Sequence, residues 1–152
     1  MRLFFILCSL SFSTFLHAQK LSTSDTTKEI ELELHVGDTM EIGICEGANF
    51  KHLDYFRKTR WADTIIPYDT ATGEGFYKSF FTTGDFDASE LPASFSGAYY
   101  EIMGMEVLIN KNTGKEMGIL YLKATEPNSV IWVDFTEAMQ AKEIGLIGQF
   151  KK

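Results

Sequence analysis

Residues 98–124, AYYEIMGMEVLINKNTGKEMGILYLKA, are the stretch on which the fold turns. Ala98–Asn110 and Met117–Ala124 are apolar runs long enough for strands, and Lys111–Lys115 between them offers Asn112 and Gly114 for a tight reversal. Such a pair reads as a β-hairpin. The first run carries a defect. Glu101 and Glu106 both belong on a water-facing side, yet they stand an odd number of residues apart. Because strand side chains alternate with a period of two, the phase must slip between them, and Gly104 is where a bulge would do it.

Downstream, Glu126–Pro127–Asn128–Ser129 turns the chain into a further strand, Val130–Phe135. Asp134 with Glu137 three residues on has the spacing of a capping box, which predicts a short helix near Thr136–Glu143 closed by Gly145. Leu146–Phe150 is read as a last short strand.

Upstream, Lys28–Val36 alternates strictly, with Ile30, Leu32, Leu34 and Val36 on one face. Gly37–Asp38–Thr39 is turn chemistry, and Met40, Ile42 and Ile44 resume the period, so a hairpin is expected there too. Ala48–Trp61 fits a helix through Phe50, Leu53 and Phe56, or a strand through Tyr55, Arg57, Thr59 and Trp61. Phe76–Thr82 reads as an aromatic strand between two long loops, Ala62–Gly75 and Thr83–Gly97, which are candidate functional loops. The class expected is mainly β: an antiparallel β-sandwich or partly open β-barrel of about seven strands with one short C-terminal helix.

Residues 1–18 read as a signal peptide: Arg2, the apolar run Leu3–Leu10, and a small-residue exit at Ala18. Polar residues from Ser9 to His17 interrupt that run too soon for a membrane anchor, and Leu7 before Cys8 does not suit a lipoprotein exit. Export is expected, to the periplasm or beyond, with no membrane span after cleavage. The remainder divides into a flexible tail over 19–27, rich in Ser, Thr and Asp, and a single β-rich domain over 28–152.

The whole chain has 14 basic and 21 acidic side chains; without Arg2 the mature part has 13 and 21, a net of −8. That field disfavours nucleic acid. Cys45 is then the one remaining cysteine, which leaves no internal disulfide and no paired-cysteine zinc site. No cofactor is expected.

Two end segments carry a resemblance. Val36–Gly37–Asp38–Thr39–Met40–Glu41–Ile42–Gly43, and Ala138 to Glu143–Ile144 after a Trp-bearing strand, resemble the start and end of small uncharacterised exported bacterial β-proteins. The resemblance implies a shared fold and carries over no catalytic residue.

Candidate chemistry is sparse. Neither Gly-x-Ser-x-Gly nor His-Glu-x-x-His occurs, and no catalytic residue is assigned. Cys45 with His35 or His52 is the only conceivable thiol–imidazole pair, with Cys45 expected to point away from the Met40–Ile42–Ile44 face. Asp85, Asp87 and Glu90 alternate oxygen ligands as a calcium candidate but lack the rest of a calcium loop, and Asp69, Thr72 and Glu74 form a second acidic loop. The distinctive segment is Tyr55–Trp61, three cations among three aromatics in an otherwise acidic chain. Tyr55, Arg57, Arg60 and Trp61 are the residue types enriched at binding hot spots. The alternative is an edge strand whose charges discourage aggregation. The contact reading predicts that Arg57, Arg60 and Trp61 are exposed together and meet an anionic partner, either an acidic protein surface or a charged glycan.

These features favour a non-enzymatic exported binding or assembly module of the bacterial cell envelope. The alternatives are a small envelope hydrolase using Cys45 with a His, or loop carboxylates from Asp69, Asp85 and Asp87, and a self-assembling structural protein.

Overall fold

The computed structural model describes residues 19–23 and 30–147, and for 19–23 and 30–32 the backbone alone. The expected signal peptide lies outside the described residues, as do 24–29 and 148–152. The fold is mainly β and antiparallel, the class expected from the sequence. Strands β1 (Gln19–Thr23) and β2 (Ile30–Leu34) pair with each other. The main sheet holds β3 (Thr39–Ile42), β4 (Asn49–Arg60), β5 (Asp85–Pro92), β6 (Tyr99–Ile109), β7 (Glu116–Lys123), β8 (Ser129–Asp134) and β9 (Ile144–Leu146). Its order is β5-β4-β8-β7-β6-β3-β9, with every pairing antiparallel. Leu91 of β5, near one edge, and Met40 of β3, near the other, belong to one buried cluster, so the sheet curves around it. A curved sheet of this kind is consistent with a sandwich or a partly open barrel.

The expected β6–β7 hairpin forms. Asn110 turns it: the side-chain oxygen accepts from the backbone of Asn112 and Thr113, and Gly114 takes a φ of 69°. The expected slip is present as a register shift between Ile102 and Gly104. Ile102 and Met105 both reach the inner core, leaving Met103 and Gly104 between them toward the other face. Glu106 does not face water as expected; it is half-buried, and its carboxylate accepts from the Tyr77 N–H at 3.1 Å.

Several expectations are corrected. Gly37 makes its turn at a φ of 95°, but β2 and β3 are not a hairpin: β2 pairs with β1, while β3 lies between β6 and β9. Residues 19–23, placed in the flexible tail by sequence, form β1. β3 stops at Ile42, so Ile44 is 61% exposed rather than inward. Phe76–Phe81 is not a strand but a helix, α1, whose Phe76/Phe80 and Tyr77/Phe81 pairs have the four-residue spacing that puts rings on one helical face. Within the second long loop, Asp85–Pro92 is strand β5, held to β4 although Asp85–Glu90 are all exposed. Ala48–Trp61 resolves as the strand β4.

The C-terminal helix, α2, spans Phe135–Gln140 behind Asp134, but the capping box does not form, since Asp134 makes no side-chain cap. Burial, with the nearby Glu137 carboxylate, pushes the Asp134 carboxyl up, and the Lys115 ammonium, 2.8 Å from Glu137, holds Glu137 down. Lys142, at a φ of 58°, ends the turn after α2, and Gly145 belongs to β9. The expected last strand thus begins at Ile144, and its 148–150 part lies outside the described residues. Glu143 receives the backbone N–H groups of Lys51 and His52 at 2.8 and 2.9 Å, where β4 is paired with neither neighbour.

The sheet has an aliphatic inner face and an aromatic outer one. Inside are Leu53, Leu120, Leu122, Ile131 and Val133, closed over by Phe135 and Ala138 of α2. Outside, α1 lays Phe76 and Phe81 on Tyr121, with Phe80 stacked on Phe76 and Phe56 and Trp132 packed against Phe81. The loop before α1 is clamped by a close backbone approach: a Cβ on Gly73, whose φ is 75°, would stand 2.5 Å from Gly104 Cα and 2.8 Å from the Met103 carbonyl oxygen.

Candidate binding cleft

β4 carries the segment the sequence singled out and leads directly into Trp61. Arg57 and Arg60 are exposed, as is Trp61 at 49%. Tyr55 is half-buried and tilted against Phe95. Burial pushes its hydroxyl pKa up, with Ser129 and Glu126 of the turn between β7 and β8 acting on it in opposite directions. Both arginines already have carboxylate neighbours across the β4–β5 pairing: Arg60 lies 2.8 Å from Asp85 and Arg57 3.9 Å from Asp87. The local cationic field is therefore largely neutralised.

Lys58 departs most from the sequence expectation. Only 5% exposed, it donates to the Phe80 carbonyl oxygen and lies 3.4 Å from the Thr83 hydroxyl. Its ammonium stands 5.1 Å from the centre of the Trp61 ring and 5.0 Å from that of Phe80, within cation–π range. Burial lowers its pKa, with the Asp85 carboxylate pulling the other way. Trp61 is further fixed by an edge contact with Phe80, 6.2 Å between centroids at 88°. An exposed ring so held loses little freedom when a ligand lands on it.

Beside Trp61 opens a cleft of about 340 Å³. It is lined by the aromatic residues Trp61, Tyr68, Phe76 and Phe80 and by the 123–129 turn with Glu126 and Asn128. Asn128 takes a φ of 60°, a left-handed conformation that Asn tolerates better than most residues. Thr125 and Glu126 also line a second depression of about 340 Å³, walled by Tyr55, Phe95 and Tyr100. The turn is thus a ridge between two aromatic hollows. Their size is at the small end of ligand pockets, roughly 300–1,000 Å³.

The other candidates are placed apart. Asp85, Asp87 and Glu90 lie on β5 but do not converge, since Asp85 and Asp87 face arginines and Glu90 accepts from the Asn49 amide at 3.0 Å. Asp69 is used in its own loop, accepting from the Ala71 and Thr72 backbone, and the Ala71 bond is the main cause holding its carboxyl below the usual range. Among the described residues, no three His, Cys, Asp or Glu side chains gather to hold a metal ion. Cys45 is not turned away from the core but packs against it, its thiol 3.6 Å from the Gly47 carbonyl oxygen. His35 lies 3.6 Å from both Glu33 and Asp38, and the His52 backbone is held by Glu143. Among the described residues, no contact joins Cys45 to either histidine. A wider cavity of about 690 Å³ lies beside Cys45, between Lys51 and Lys142.

Sequence reasoning named Tyr55 and Trp61 but missed Lys58, α1 and the 123–129 turn. The signal for Lys58 was its place two residues after Phe56, on the apolar side of an alternating strand. Comparison with protein-family models, with curated proteins and with solved structures finds no match. No helix among the described residues is long and apolar enough to cross a membrane.

Proposed function

We propose that this protein is an exported, non-enzymatic binding module of the bacterial cell envelope, and that its ligand seats in the cleft beside Trp61. One observation carries the reading: a half-exposed tryptophan, fixed by a buried lysine, lines a concave aromatic cleft together with polar residues of the 123–129 turn. Pockets of this make-up, mostly apolar with a few placed polar groups, are the usual form of a small-ligand site. The leader-like first 18 residues and the end segments resembling exported bacterial β-proteins support the location. Arg57 and Arg60 flank the site as ion pairs.

Amide spectra of the mature chain, titrated with fractions of envelope extract, test the binding role. Shifts grouped at Trp61, Tyr68, Phe80 and residues 123–129, abolished by Trp61→Ala, are expected. Shifts grouped elsewhere, or none with any fraction, overturn it. Mass spectrometry of the exported protein should find Gln19 as the first residue, and a retained Met1 or a lipid adduct refutes soluble export.

A further inference from the structure

We infer that the ligand is a neutral oligosaccharide, lying with one sugar ring against Trp61 and its chain crossing the 124–128 turn; this rests on the cleft being the binding site. The argument begins with charge. The chain is acidic, and the two exposed cations of the Tyr55–Trp61 segment face Asp85 and Asp87. The third, Lys58, is buried and directed at the Phe80 carbonyl and the back of the ring cluster. At the opening itself stand one cation, Lys123, and one carboxylate, Glu126. Nothing there collects a net charge of either sign, so an anion gains little by entering.

The chemistry of the walls continues the argument. A sugar ring has apolar C–H faces and a rim of hydroxyls, each of which donates and accepts hydrogen bonds. Trp61 and Tyr68 offer apolar ring area in the cleft, above the buried Phe76 and Phe80. Glu126 and Asn128, which line the same cleft and are exposed, supply carboxylate and amide, groups that pair with such a rim. A peptide fits less well. The cleft opens at the β7–β8 turn and not along β5 or β9, the sheet edges where an added strand finds free backbone groups.

The length of the ligand follows from the two hollows. They share Thr125 and Glu126 and are each about 340 Å³, and the second again has an aromatic wall, in Tyr55, Phe95 and Tyr100. A chain that bridges the ridge makes the second ring's binding intramolecular, so affinity rises with chain length.

Fluorescence titration of the mature chain with cellobiose, cellotetraose and chitotetraose tests this, with a sulfated heparin tetrasaccharide and an aromatic-rich acidic peptide as competing probes. Saturable changes in emission with a neutral tetrasaccharide, tighter than with the disaccharide and unchanged between low and high salt, are expected. Trp61→Ala should weaken that binding by about tenfold or more, a loss of about 1.4 kcal/mol. Asn128→Gly, which keeps the left-handed backbone accessible while removing the amide, should weaken it about threefold or more with the fold unchanged. Binding confined to the sulfated probe and lost with salt overturns the neutral-sugar inference, as does binding confined to the peptide; both leave the cleft as a binding site. Neutral sugars that bind equally well to Trp61→Ala overturn the inference too. Absence of binding by all five probes rejects the sugar class, while envelope fractions that still shift the cleft resonances keep the binding role intact.

Discussion

On its inner side the sheet meets Leu53, Leu120, Leu122, Ile131 and Val133, all without exposed surface; on its outer side it meets Phe56, Phe81, Tyr121 and Trp132, of which only Tyr121 is wholly buried. Branched aliphatic chains interlock closely, so the centre of the inner face serves stability, and its margin stays open only where Tyr55, Phe95 and Tyr100 pack. Rings meet edge to face, as Phe56 does with Phe81 at 89° and Phe81 with Trp132 at 88°, and such contacts leave ring faces uncovered at the margins. The outer layer also holds titrating groups that the inner core lacks: Lys58, Glu106 and the buried Tyr121 hydroxyl, which burial pushes far up. The cleft lies on that side. The inner face is closed by shape at its centre and opens only at the hollow beside Tyr55, whereas the outer face keeps the aromatic surface beside Trp61.

Four substitutions break or sharpen this contrast. Leu122→Ala, on the inner face, should have the largest effect, about 2–5 kcal/mol in urea unfolding, because neighbours interlocked on all sides cannot close the cavity. A loss under 1 kcal/mol would mean the inner face is loosely packed. Gly73→Ala should come next, at roughly 1–3 kcal/mol, from a left-handed backbone and a clash with the Gly104 strand. Its signature should be local: faster amide exchange in α1 ahead of the inner strands. Uniform loosening would show that the two layers are one cooperative unit.

Glu106→Gln should act through pH. Burial raises the Glu106 carboxyl above its ordinary value, with the Tyr77 N–H bond opposing. The folded chain therefore holds that proton more tightly than the unfolded one. Its contribution to stability is fully present below the unfolded pKa, roughly 4.3, and is lost as pH rises through the raised folded value. The amide keeps an acceptor for Tyr77 and cannot ionise, so stability measured from about pH 4 upward should fall less in the variant than in the parent. An unaltered slope would remove Glu106 from the pH response. Arg60→Lys should change least, within about 0.5 kcal/mol in thermal unfolding, since its partner Asp85 is exposed and water screens the pair. A larger loss would make β5 a structural element of the outer layer in its own right.

What could be read from the sequence follows the same division. β6, β7 and β8 announce themselves by alternation and local turns, and the slip near Gly104 could be deduced from the spacing of two glutamates. The β2–β3 hairpin could not be judged correctly, because the partners of β3 come from Tyr99–Glu101 and Ile144–Leu146, far along the chain. α1 reads as a strand in the sequence because aromatic residues favour strands in general, and its helical spacing occupies too few residues to outweigh that preference. β5 has too little apolar character to signal a strand and exists by virtue of its partner. Of the cleft, Trp61 was visible as a residue type in an unusual segment. Its walls were not, since Phe76, Phe80 and Asn128 are brought to it only by the tertiary fold.

Glu143 has a consequence for the chain's behaviour among its own copies. Lys51 and His52 present consecutive backbone N–H groups where β4 pairs with neither β5 nor β8, and one carboxylate occupies both. A gap in a sheet is a docking point for any passing extended chain. Here a side chain fills it as a plug and brings a negative charge that repels further acidic copies. One carboxylate, more than 90 residues away along the chain, thus keeps these two amides from standing open to another strand.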